Sequence, residues 1–194
     1  MAMARKYEFK PDKPKASFLS RLYLTKRQQL SLLKWGLYAL VLLVLSVLQD
    51  VVLCRYRLFG ATTELVPCAI FLICILQGLE SGSVFALVAG LFYLFSGTAP
   101  GPYAMVFITF LAVGVTYLRQ SFLQTGFATA MLCTGSAMLV YEMAVFVTGL
   151  FLQLTLPGRF VGFLLTAGLS LLAAPVLYPI CLAIGRIGGE TWKE

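Results

Sequence analysis

Histidine is absent from this sequence. The commonest general base and the commonest metal ligand are therefore missing together. Charge is scarce as well, with Asp, Glu, Lys and Arg making up only 12% of the residues, against about 25% in a soluble domain. There is no P-loop, no metalloprotease helix motif and no nucleophile elbow, and no two acids have a spacing that demands catalysis. The five cysteines, Cys54, Cys68, Cys74, Cys133 and Cys181, form no CxxC pair. Most stand in apolar runs, where cysteine acts as a small hydrophobe. Neither a disulfide framework nor a metal site is expected, and no cofactor. Enzyme is the least supported class.

What the chain has in abundance is apolar surface. Of its 194 residues, 60% are hydrophobic, and the mean hydropathy is +0.89. A soluble fold of this length cannot hide that much apolar area, so the bilayer is the expected solvent. The apolar runs predict six transmembrane helices. The first covers about 35–53 and, at ~1.5 Å per residue, reaches about 28 Å, one hydrocarbon core. The second and third, about 63–76 and up to about 95, are short and flank the turn QGLESG at 77–82. Short spans imply tilt, local thinning, or a turn at membrane depth shielded by protein. The breaker SGTAPGP at 96–102 precedes a fourth span at about 103–118. A fifth covers about 127–150 and a sixth about 160–184, the last carrying Pro175 and Pro179, which bend helices.

Three parts follow: a basic tail at 1–34, a six-helix transmembrane domain at 35–187 and a short tail at 188–194. The first apolar run lacks a small-residue exit site, so it is expected to be a retained span rather than a cleaved signal. Within 18–34, leucines mixed with cations suggest a short helix lying on the membrane surface.

The net charge is +7, and nine of the fifteen Lys and Arg lie in 1–34. A basic tail beside a span is a topology signal that also meets anionic lipid headgroups, and no nucleic acid is expected. With the N-terminus inside, twelve cations fall on the cytoplasmic side, against Arg55, Arg57 and Arg159 outside. Both termini are then cytoplasmic, in a multi-pass plasma-membrane protein.

Three groups of residues are candidates for function. Gly78, Gly82, Ala86 and Gly90 recur every four residues, a smooth stripe that admits another helix, either from this bundle or from a partner. Among the acids, Asp50, Glu64 and Glu80 fall near span ends, whereas Glu142 lies deep in the fifth apolar run. A charge that deep faces the interior, a cavity or a partner. It shares one face with Gly135 and Gly149, and Arg119, Arg159, a partner or protonation are the open ways to tolerate it. Third, Thr62, Thr63, Thr109, Thr116, Thr134 and Ser136 either line a pocket or bond carbonyls of their own helices.

The stretch FALVAGLFYLFSGTAPGPYAM at 85–105 resembles the most recognisable segment of MreD, the rod shape-determining membrane protein family. Ser96 and Gly97 match that family's SG, and Gly101 its later glycine. Thr63-Glu64-Leu65 stands where the family has Pro-Asp-Leu, keeping the acid. Gln49 at the end of the first span, and Leu177-Tyr178-Pro179 followed by Arg186, extend the likeness over about 35–187. Two positions depart: Tyr93 replaces the acid before SG, and Thr63 replaces the proline. The resemblance implies a non-enzymatic scaffold of the cell-wall elongation complex. Its implied partners are an MreC-like single-span protein, the RodA glycosyltransferase, a penicillin-binding transpeptidase and MreB. It also implies a fold similar to the six-helix substrate-binding components of energy-coupling-factor vitamin transporters. That supplies the rival reading, in which Arg57, Glu64, Tyr103 and Arg159 line an outward pocket.

Overall fold

The computed structural model describes residues 26–53, 55, 61–122 and 126–187. Six α-helices carry almost all of it: α1 Lys26–Leu48, α2 Leu65–Gln77, α3 Leu79–Phe95, α4 Pro102–Phe122, α5 Phe127–Phe151 and α6 Phe160–Gly185. A π-helical turn, Gln49–Leu53, extends α1, and a 3-10 turn, Pro157–Arg159, leads into α6. No strand forms among the described residues. Four segments are long and apolar enough to cross a membrane: Gln28–Leu53, Pro102–Phe122, Phe127–Phe151 and Pro157–Gly185. The chain is thus a helical protein of membrane-spanning character. Helices α2 and α3, with 13 and 17 residues, are shorter apolar elements.

The short α2 is the centre of the molecule. It packs against each of the other five α-helices. Every side chain from Leu65 to Leu76 is buried. Its sequence, LVPCAIFLICILQ, is apolar on all sides, as a helix enclosed on all sides must be. Pro67 is tolerated because it stands in the first turn, where a missing N–H costs the ladder nothing.

A short enclosed helix leaves its terminal N–H and C=O groups far from water, where each orphan costs several kcal/mol by rough estimate. Other helices satisfy them here. At the head of α2, the Glu64 N–H donates to Ser170 Oγ at 2.8 Å, and the Val66 N–H to Gln49 Oε1 at 3.1 Å. At its foot, Arg119 of α4 donates to the Ile75 carbonyl. Beside that end, Gln77 Nε2 donates to the Tyr38 hydroxyl at 2.6 Å, and Tyr38 donates onward to the Cys181 carbonyl at 3.0 Å. The turn itself is partly open, with Gly78 and Leu79 half-buried and Glu80 exposed.

The outer faces are apolar and open. Leu40, Phe110, Leu132, Leu172 and Val176 are all more than half exposed. Stripes of this kind on several helices are what a lipid-facing surface presents.

Two local expectations differ from the structure. Helix α1 begins at Lys26, not near Trp35, because the polar but helix-favouring residues RQQLSLLK extend it. From Lys26 onward the expected surface helix is therefore part of α1, and 18–25 lie outside the described residues. The turn expected over 77–82 narrows to one residue. Gly78, at φ +87°, reverses the chain alone, and α3 already starts at Leu79. Glu80 then falls in the first turn of α3, where an acid favours the helix dipole.

Candidate functional site: an acidic cavity at the head of the central helix

Five segments meet above α2. The π-helical turn after α1 contributes Gln49, and the residue before α2 contributes Glu64. Helix α3 contributes Tyr93, α5 contributes Tyr141 and Glu142, and α6 contributes Thr166 and Ser170. The Tyr93 hydroxyl points at Glu64 Oε2, 3.4 Å away. Ser170 accepts from the Glu64 N–H and donates to the Thr166 carbonyl at 2.7 Å. Phe71 of α2 meets the Tyr141 ring edge-on, with centroids 6.2 Å apart, holding that side of α5 in place.

Beside this cluster lies a cavity of about 670 Å³. Glu64, Glu142, Thr62 and Thr166 contribute its polar lining, together with Tyr103, Thr155 and Arg159. Leu154, Val161, Phe163 and Leu165 contribute apolar wall. Its size falls within the range of small-molecule sites. Glu142 is only 2% exposed, and its Oε1 has no hydrogen-bond partner among the described residues. A buried carboxylate oxygen in that state is costly unless something donates to it.

The sequence candidates divide between this site and other places. Glu64 and Glu142, from different helices, line the same cavity, and Tyr103 and Arg159 join them. Arg57 lies outside the described residues. Arg119 is at the opposite end of α2, so it is not Glu142's counter-ion. Asp50 is half-buried on the π-helical turn, next to Gln49, and does not line the cavity. Of the hydroxyls, Thr62 lines the cavity, whereas Thr109 and Ser136 bond the carbonyls of Met105 and Cys133 in their own helices. The Thr116 and Thr134 hydroxyls are buried elsewhere.

The small-residue stripe faces inward. A Cβ on Gly82 would stand 2.9 Å from the Cys74 carbonyl oxygen, so α3 lies directly on the α2 backbone there. The Cys74 thiol bonds the Gly82 carbonyl across that contact at 3.2 Å. Ala86 is fully buried, and Gly90 faces Met105 and Thr109 of α4. Gly78 forms the reversing turn. The loop after α3 has a physical account as well. Ser96 ends the helix, its hydroxyl bonding the Tyr93 carbonyl at 2.8 Å, and Gly97 follows at φ +77°. Gly101 packs against the Tyr103 ring. Cys68, Cys74, Cys133 and Cys181 are free and buried, and no group of metal-ligating side chains forms among the described residues.

Sequence reading missed Thr166, Ser170 and Tyr141. The first two are four residues apart on α6, a signal of one polar face in an otherwise apolar helix. No family model, curated protein or solved structure matches the chain.

Proposed function

We propose that this chain is a six-span, non-enzymatic scaffold of the MreD type, with both termini cytoplasmic in a bacterial plasma membrane. In this role it helps to maintain cell shape within the complex that elongates the peptidoglycan wall. Its direct partner is an MreC-like single-span protein, with RodA, a penicillin-binding transpeptidase and MreB further along the assembly. The observation that carries the reading is a convergence. Gln49 and Glu64 carry the family resemblance, and Tyr93 stands where this chain departs from it. They are far apart in sequence, yet Gln49 caps the head of α2 and Tyr93 bonds Glu64 at that same point. Tyr93, standing where the family has an acid, keeps a polar group on Glu64. The open apolar faces of α1, α4, α5 and α6 leave room for partner spans.

The test is purification of the tagged full chain from its native membrane in mild detergent, with partners identified by mass spectrometry. Recovery of an MreC-like protein, with or without wall synthases, supports the reading. Recovery of two ATPases with a coupling membrane protein overturns it.

One observation favours the alternative, a substrate-binding component of an energy-coupling-factor vitamin transporter. Glu64, Tyr103 and Arg159, three of the four residues named for its pocket, line one cavity. A vitamin retained by the purified chain would carry that reading.

A further inference from the structure

The cavity contains one group that the family resemblance does not account for. Glu142 lines the cavity, and its buried Oε1 is without a hydrogen-bond partner among the described residues. The lining brings two carboxylates, Glu64 and Glu142, against one guanidinium, Arg159. Two acids against one cation favour an occupant with a positive N–H donor. A space of about 670 Å³ is far larger than a bare ion needs and matches an organic molecule.

The walls narrow the class further. Leu154, Val161 and Leu165 line the cavity and are exposed, at 70%, 62% and 39%. The cavity thus sets exposed apolar wall beside its acids. That combination suits an amphiphile, with its head among the acids and its tail along the leucine and valine wall. We propose that the cavity binds a zwitterionic aminophospholipid. Its primary ammonium donates to Glu142, with Glu64 adding negative charge nearby, and its phosphate lies toward Arg159. Arg159, on the 3-10 turn before α6, is exposed enough to adjust to a headgroup. A quaternary ammonium has no N–H and leaves Oε1 unpaired. A purely anionic head meets two carboxylates. This inference does not depend on which proteins the chain assembles with.

The test is native mass spectrometry of the delipidated full chain. The probes are dioleoyl phosphatidylethanolamine, the matching phosphatidylcholine and phosphatidylglycerol, and free glycerophosphoethanolamine. Phosphatidylethanolamine should be retained about tenfold more strongly than either other lipid, the scale of one charge-assisted hydrogen bond. Glu142→Gln should remove most of that preference, and Arg159→Gln, which loses a phosphate contact common to all three lipids, should weaken retention of all three. Arg159 is exposed, so its variant stays informative even where Glu142→Gln folds poorly. Equal retention of the three lipids, an unchanged preference in Glu142→Gln, or unchanged retention in Arg159→Gln overturns the proposal. Competition by glycerophosphoethanolamine at the same concentration as the lipid also overturns it, pointing to a soluble amine instead.

Discussion

Arg119 of α4 donates from its guanidinium to the carbonyl oxygen of Ile75, in the last turn of α2. A helix that ends inside protein leaves carbonyls that water cannot reach, and a cation is the strongest available donor to them. A cation that the sequence offered as a counter-ion for Glu142 is thus a structural cap. It stands at the opposite end of α2 from the acidic cavity.

Replacing Arg119 with Leu should lower stability by about 1–3 kcal/mol, the cost of a buried acceptor left without its donor. Thermal unfolding of the full chain in detergent measures this. An unchanged midpoint would mean that water reaches the foot of α2.

Tyr38→Phe keeps the ring contacts with Trp35 and Phe85 but removes the hydroxyl that joins Gln77 to the Cys181 carbonyl. The expected loss is about 1–2 kcal/mol, read in the same unfolding assay. Because the aromatic packing survives, a larger loss would show that the hydroxyl holds α1, α2 and α6 together.

Gly82→Leu should abolish a monodisperse peak in size-exclusion chromatography, since even a Cβ meets the Cys74 backbone at 2.9 Å. Gly114→Ala is the contrast. Nothing lies within 4 Å of its added Cβ, and alanine gains up to about 1 kcal/mol of helix propensity. Equal behaviour of the two variants would disprove the close α2–α3 contact.

Glu142→Leu should insert and purify like the parent protein, because it removes a buried polar oxygen that lacks a partner. It should nonetheless fail to complement loss of the native gene, or assemble weakly with partners. Full complementation would make the carboxylate incidental.

A reporter fused ahead of Met1 should be active only inside the cell, as the nine cations in 1–34 require. Activity confined to the outside would overturn the proposed orientation.

The helices were legible because hydropathy is a local property. The expected fifth span, about 127–150, is Phe127–Phe151, and the sixth, about 160–184, is Phe160–Gly185. The start of α1 was not legible, because a helix propagates past the end of its apolar run wherever residues such as Gln28, Gln29 and Leu30 favour it. The single-residue turn was hidden for a different reason. Hydropathy says nothing about φ, and Gly78 reverses the chain by adopting a positive one.

The site followed the same division. Composition and spacing alone established an apolar helical chain, a basic N-terminal end and a carboxylate deep in the fifth run, because each depends only on neighbours in sequence. Tertiary packing decided the rest. Glu64 and Glu142 are 78 residues apart in the chain, yet both line one cavity. Arg119 is 44 residues from the carbonyl it caps, and Ser170 is 106 from the N–H it accepts. Contacts at such separations depend on how the helices are rotated and ordered around α2. That arrangement is set by the need to satisfy both ends of a buried helix at once, which no local window of sequence contains.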